Sequence, residues 1–203
     1  MAELRLGFLA SGGGSNMQAI LDACHEGRLS ASARVVIGNN SKSGALTRAR
    51  EAGIACYHLS SLTHADPRAL DVAICDALQR HEVQVVCLAG YMKLLGVRTL
   101  TAFRGRILNI HPGLLPRHGG QGFYGKRVHE AVLAAGDAES GATVHIVDEV
   151  YDNGPVLAQA RVPVQADDTP DTLGARVLIQ EHQLFSKTLQ KIATGEIDLE
   201  DYS

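Results

Sequence analysis

The sequence predicts an α/β fold: a Rossmann-like mixed sheet, parallel in its N-terminal half, with helices on both faces. Three observations carry that expectation. Short apolar runs alternate with stretches of helical periodicity in the order βαβαβαβ, the pattern of a parallel sheet covered on both sides. The first of these runs leads directly into Ser11-Gly12-Gly13-Gly14-Ser15 and then a helical pattern, a strand, glycine turn and helix start. The run Val83 to Leu88 (VQVVCL) has the apolar character of a central parallel strand.

Leu4 to Ala10 reads as a buried strand, followed by a helix from Asn16 to about Arg28. Arg34 to Gly38 is the second strand. A helix then runs through Arg50, Glu51 and Ala52, with Gly53 as its C-terminal cap. Ile54 to Tyr57 is a short third strand, and a long helix spans about Pro67 to His81 ahead of the Val83 strand. After Ala89-Gly90-Tyr91 the pattern changes. Arg106 to Ile110 makes a further strand, and a polar, glycine-rich stretch follows from Gly113 to Gly125, long enough to expect a functional loop and, from its glycines, a lid. A helix (Lys126 to Ala135), a strand of period-2 alternation (Ala142 to Val147), an acidic loop (Asp148 to Asn153) and a strand (Val156 to Val164) come next. Thr169 as N-cap and Pro170 at the first helical position start a final helix reaching about Ile192.

With 203 residues, 45% hydrophobic and 20% charged, and a net charge of −3, the chain fits one domain over residues 1–203 with ordinary core burial. Only 4% of residues are aromatic and none is Trp, so the core is expected to be aliphatic. The mild acidity argues against nucleic acid or anionic lipid as a partner. The apolar run after Met1-Ala2-Glu3 is too short for a signal peptide or a membrane span, which leads to a cytoplasmic expectation. Cys24, Cys56, Cys75 and Cys87 form no C-x-x-C pair and read as reduced thiols.

The glycine turn makes an anion site, because the first N–H groups of a helix lack intrahelical partners and sit at the positive end of its dipole. It is not a dinucleotide fingerprint: Met17 stands where the third glycine belongs, and Asn39 and Asn40 stand where an acidic residue would end the second strand. No Gly-Lys-Ser/Thr follows, which rules out a Walker A loop. Two readings stay open: a phosphate cradle made by Gly14, Ser15 and Asn16, or a tight turn in which Ser15 only caps the helix.

Asn109 and His111 close the Arg106 strand with one residue between them, so their side chains share a side, and Pro112 holds His111 extended. An amide donor beside an imidazole suits an oxyanion that develops during attack on a carbonyl. By itself the pattern also fits a structural histidine. Asp152, in Asp152-Asn153-Gly154-Pro155, is placed either to charge and orient such an imidazole or simply to make the turn. The nine histidines show no metal-ligand spacing, so no metal is expected, and no G-x-S-x-G elbow is present.

The stretches GFLASGGGSNMQAI (Gly7 to Ile20), VVCLAGYMKLL (Val85 to Leu95), ILNIHPGLLP (Ile107 to Pro116), GATVHIVDEVYDNGPVLAQ (Gly141 to Gln159) and ARVLIQEHQL (Ala175 to Leu184) span nearly the whole chain. In that order they resemble the phosphoribosylglycinamide formyltransferase family of the folate-dependent formyltransferase superfamily. The N-x-H-P-x-L-L-P block marks the superfamily, and the S-G-x-G-S-N turn its ribonucleotide branch. The resemblance implies the formyltransferase fold and transfer of a formyl group from 10-formyltetrahydrofolate to the amine of glycinamide ribonucleotide in purine biosynthesis. It implies Asn109, His111 and Asp152 as catalytic residues; Gly14, Ser15, Asn16, Arg68 and Glu181 on the ribonucleotide; and Tyr91, Met92, Lys93, Leu95, Val147, Asp148, Glu149 and Val150 around the folate. Small molecules are then the partners, with the chain a monomer or homodimer. Three departures stand out: Leu178 replaces a frequent Gln, Phe185-Ser186 a frequent Tyr-Pro, and the loop His118 to Lys126 is longer and more aromatic than the commonest form. Competing readings are a formyltransferase with another acceptor (methionyl-tRNA or an amino sugar), a 10-formyltetrahydrofolate hydrolase, and a noncatalytic binding module. The first two usually carry further domains, and the chain is expected to lack room for one.

Overall fold

A computed structural model describes residues 3–202, so the reading of Met1-Ala2 lies outside the described residues, as does Ser203. The elements follow the expected alternation: β1 (Leu4–Ala10), α1 (Ser15–His25), β2 (Ala31–Gly38), α2 (Gly44–Glu51), β3 (Ala55–His58), α3 (Pro67–Arg80), β4 (Val85–Leu88), α4 (Val97–Ala102), β5 (Ile107–His111), α5 (Lys126–Ala134), β6 (Glu139–Ile146), β7 (Val156–Pro163) and α6 (Pro170–Ala193), with a closing 3-10 turn over Leu199–Tyr202. They build one seven-stranded sheet in the order β3-β2-β1-β4-β5-β6-β7. Strands β1 to β5 are mutually parallel, and β6 and β7 are antiparallel additions. The chain winds outward from β1 to β3 and then returns to the other side of β1 at β4. That reversal opens a crevice beyond the carboxyl ends of β1 and β4, the usual ligand position in such sheets.

Two apolar layers hold the sheet. On one face Leu6, Phe8 and Val36 pack with Met17 and Ile20 of α1 and with Leu173, Val177 and Phe185 of α6. On the other, Leu9, Val35 and Ile37 pack with Ile74 and Leu78 of α3. Each such fully buried side chain contributes roughly 1.5–3 kcal/mol. Helix starts follow local chemistry: the Asp66 carboxylate accepts from the Arg68 N–H ahead of Pro67, and Thr169 and Thr172 form a reciprocal capping box around Pro170. Among the described residues no helix is long and apolar enough to cross a membrane.

The structure decides one open reading, adds one helix and corrects one expectation. The start of α1 is capped by Gly14 in the left-handed region (φ 75°), with no side-chain cap, so Ser15 is the first helical residue and does not cap it. The α4 helix went unforeseen because its cap is tertiary: Asp71 of α3 accepts from the Arg98 and Thr99 N–H groups and from the Thr99 hydroxyl. Strand β6 does not alternate but is buried on both faces beyond its first residue. Helix α6 covers one face. On the other, the Thr143 hydroxyl donates to the Gly113 carbonyl (2.6 Å) and accepts from the Leu115 N–H (3.1 Å), drawing the loop after β5 down onto the sheet.

Candidate active site

The crevice opens into a cavity of about 800 Å³. Its first wall is the segment after β4, which carries Tyr91, Met92, Lys93 and Leu95 into the lining. Ser11, just beyond β1, ties this segment down: its N–H donates to the Gly90 carbonyl (3.0 Å) and its hydroxyl accepts from the Met92 N–H (2.8 Å). The same segment leads into α4, fixed by Asp71. Burial pushes the Tyr91 hydroxyl up to about 12, so it serves as a neutral group. The facing wall is the β6–β7 loop, from which Val147, Asp148, Val150, Tyr151 and Asp152 line the cavity. Asp148 closes that loop by accepting from the Val150 N–H and the Asn153 amide. Glu149 is exposed and borders no part of the cavity.

Between the walls stands a polar cluster borne by β5 and β6. Leu108 and Ile110 of β5 enter the core layer of α6, so Asn109 and His111 alternate to the opposite side. In the antiparallel pairing with β6, Asn109 lies directly across from His145 and His111 from Thr143. His145 is 2% exposed, and its Nδ1–H donates to the Ile146 carbonyl (2.9 Å). Its Nε2 lies 3.0 Å from Asn109 Nδ2, a contact that orients the Asn109 amide and leaves the amide's second hydrogen for another acceptor.

His111 is likewise 2% exposed. Its Nε2 donates to the His118 carbonyl (2.9 Å), because a carbonyl can only accept, and Nδ1 is the nitrogen 3.4 Å from Asp152 Oδ2. Burial pushes the imidazole below its ordinary value, while the Asp152 charge and the His118 carbonyl pull it back up. Asp152 sits in the left-handed region (φ 54°), its Oδ2 accepting from the Gly120 N–H (3.0 Å) and its Oδ1 lying 3.4 Å from His145 Nε2. Burial works against this carboxylate, but His145, His111 and the Gly120 N–H outweigh it and hold the carboxyl below the ordinary range. A charged carboxylate, a tunable imidazole and a pinned amide thus converge on the cavity.

At another part of the lining, Asn16 of α1 meets Glu181 of α6: the amide Nδ2 donates to Glu181 Oε2 at 2.7 Å. Burial raises the Glu181 carboxyl, with the Asn16 hydrogen bond offsetting part of the effect. Asn16 Oδ1 is buried with no partner. A ligand with a donor to offer would satisfy it. Gly14 and Ser15 form the neighbouring helix start without entering the cavity lining, and Arg68, exposed on the first turn of α3, stays outside it too.

Residues 4–189 match the sequence profile of the formyl transferase family. The chain belongs to the formyl transferase family. Within that family it is 38% identical to phosphoribosylglycinamide formyltransferase of Escherichia coli (strain K12), over 95% of this chain and 89% of the relative. It is 43% identical to the chloroplastic phosphoribosylglycinamide formyltransferase of Vigna unguiculata, over 95% of this chain, and spans only 62% of that relative's length. In the corresponding protein of Arabidopsis thaliana the span is 66%. The crystal structure of glycinamide ribonucleotide transformylase 1 from Symbiobacterium toebii superposes with a TM-score of 0.91 at 40% identity, covering 99% of this chain and 92% of that one.

In this formyl transferase chain, sequence reasoning missed His145, the Gly120 N–H and the His118 carbonyl. His145 carried a usable signal: a histidine inside a buried strand needs a partner, and β6 sets it opposite Asn109. The two backbone contacts carried none, since any residue type offers them.

Proposed function

We propose that the chain transfers the formyl group of 10-formyltetrahydrofolate to the primary amine of glycinamide ribonucleotide. The observation that carries this reading is the convergence of Asn109, His111 and Asp152 on one cavity, in a chain of this family. Residues 1–203 act as one formyltransferase domain, a reading supported by the single sheet and by α6, which packs across β6 and β7.

The folate fits the walls. Its flat, amphipathic ring system suits a cavity lined by Leu88, Leu95 and Val147, with the 91–95 and 147–150 segments at its edges. Asn16 and Glu181 hold the polar part of the ribonucleotide, and the α1 start, with Gly14, Ser15 and Asn16, receives its phosphate. Arg68 is the remaining side chain assigned to that phosphate by family resemblance, and it reaches the ligand only from outside the cavity lining.

Chemistry follows from the donors. As the amine nitrogen bonds to the formyl carbon, negative charge grows on the formyl oxygen. The free Asn109 N–H and the Nδ1–H of His111 in its protonated form meet that charge, while Asp152 offsets part of the effect of burial and favours that form. Asp152 then relays a proton, through water, from the attacking nitrogen to the departing folate nitrogen as the old C–N bond breaks. No reacting group has to be generated by the protein, so positioning and charge supply the acceleration.

The test mixes purified chain, 10-formyltetrahydrofolate and glycinamide ribonucleotide and follows tetrahydrofolate release. Release that depends on the ribonucleotide is expected. Release without it identifies a hydrolase, binding without release a noncatalytic module, and either result overturns the reading.

A further inference from the structure

We infer that Asp137 and His118 are positioning residues: their hydrogen bond clasps the 117–120 strap so that its backbone sets the proton arrangement of His111. The inference rests on the reading of His111 and Asp152 as the reacting pair. The strap lies against those two side chains and touches both through its main chain. The His118 carbonyl accepts from His111 Nε2 at 2.9 Å, and the Gly120 N–H donates to Asp152 Oδ2 at 3.0 Å.

His118 holds a left-handed backbone (φ 52°), a conformation that a non-glycine residue keeps only when its surroundings enforce it. The enforcing contact is at its ring. His118 Nε2 donates to Asp137 Oδ2 at 2.7 Å, and the ring also leans on Phe123. Asp137 closes the turn between α5 and β6, with its side chain only 10% exposed, and its other oxygen receives Arg117 at 2.6 Å. The Arg117 side chain is 66% exposed, so water screens that contact, whereas the His118 side chain is 15% exposed. The bond from His118, with Arg117 assisting, holds the Asp137 carboxyl below its ordinary range, so the clasp has a charged acceptor at neutral pH.

The consequence falls on His111. With Nε2–H committed to the strap, the proton that titrates is the one on Nδ1, facing Asp152 and the substrate. The ionisable groups around that ring are Asp152 from the β6–β7 loop, His145 from β6, His129 from α5 and His118 from the strap itself. The His145 and His118 rings work against the protonated form, whereas Asp152 and the strap's main-chain acceptor favour it, so His118→Gln against His118→Ala isolates the clasp from the loss of the ring. Slackening the clasp removes that support and lets burial depress His111 further.

The experiment is a pH titration of the full chain, labelled with ¹⁵N-histidine and free of substrates, read at both ring nitrogens of His111. Neutral His111 is expected as the Nε2–H tautomer. In Asp137→Ala and His118→Ala its midpoint should fall by on the order of half a unit to one unit, the worth of one hydrogen bond, and the Nε2–H preference should weaken. His118→Gln, which keeps a donor to Asp137, should restore the original midpoint and tautomer. In the turnover assay, the descending limb of kcat against pH should move to lower pH in the two alanine variants and return in His118→Gln. A His111 midpoint unchanged in both alanine variants overturns the inference, as does failure of His118→Gln to differ from His118→Ala. Because the titration needs no substrate, failure of the formyl-transfer reading shows separately, as an unsubstituted chain without turnover.

Discussion

Gly14 offers the sharpest test of how the site is held, since its replacement by alanine breaks two constraints that other glycines break singly. At Gly14 φ is +75°, and an added Cβ would lie 2.8 Å from Ala45 Cα and 2.9 Å from Ala45 Cβ, where α2 packs on the turn. Gly27 shares the left-handed backbone (φ +72°) but has nothing within 4 Å, and Gly12 has neither constraint. A left-handed residue costs roughly 1–2 kcal/mol, of which about 0.4–1 kcal/mol returns through the stiffer unfolded chain. Gly27→Ala should therefore destabilise by about 1 kcal/mol and Gly12→Ala, with neither cost, should stabilise by about 0.4–1 kcal/mol. Crowding against backbone adds roughly 1–3 kcal/mol, which puts Gly14→Ala at about 2–4 kcal/mol. Urea unfolding of the three variants at one pH measures the series. A Gly14→Ala loss no larger than that of Gly27→Ala would show that α2 yields at the contact, and would refute the argument that Ala45 fixes the start of α1 and hence Asn16.

Three further outcomes are expected. His111→Ala and Asp152→Asn should each lower kcat by about 10²–10³ or more with the fold intact by circular dichroism, and near-normal turnover in either would remove that residue from the mechanism. Asp71→Ala should cost about 1–2 kcal/mol in urea unfolding, as a lost helix cap, because the α4 N–H groups and the Thr99 hydroxyl lose their acceptor; a loss under about half a kcal/mol would count against the cap. Burial lowers His111 and His129 from the ordinary 6.5. Below that pH the unfolded chain binds more protons than the folded one, so stability should drop as pH falls from 6.5 through the folded values. Melting temperature measured from pH 7 to pH 5 should decline, and decline less in His129→Leu; a flat profile in the unsubstituted chain would contradict it.

What the sequence made legible was what local chemistry decides. Thr169-Pro170 starts a helix where its capping chemistry says it should, Pro67 opens another, and Gly53 ends one at φ +68°. Asn109 and His111 share a side because strand periodicity demands it. Features set by distant partners were hidden. Helix α4 depends on a carboxylate from α3, and β6 is buried twice over because a loop folds onto it. Local sequence left open whether Ser15 caps α1, because the turn is governed by Ala45 pressing on Gly14. The roles of Asp137 and His118 appear only when a strap is seen to bond through its backbone to two side chains of other elements.

The reversal of direction at β6 has a consequence for how the molecule divides its labour. Asn109, His111, His145 and Asp152 all arrive on consecutive strands and the loop that joins them, with the strap lying in the same continuous piece of chain. The segment tied by Ser11 and the helix start that carries Asn16 belong to the earlier, parallel half. The proposed reacting cluster is therefore one continuous cassette of chain, whereas the Asn16–Glu181 pair has to be assembled from α1 and α6, at opposite ends of the sequence.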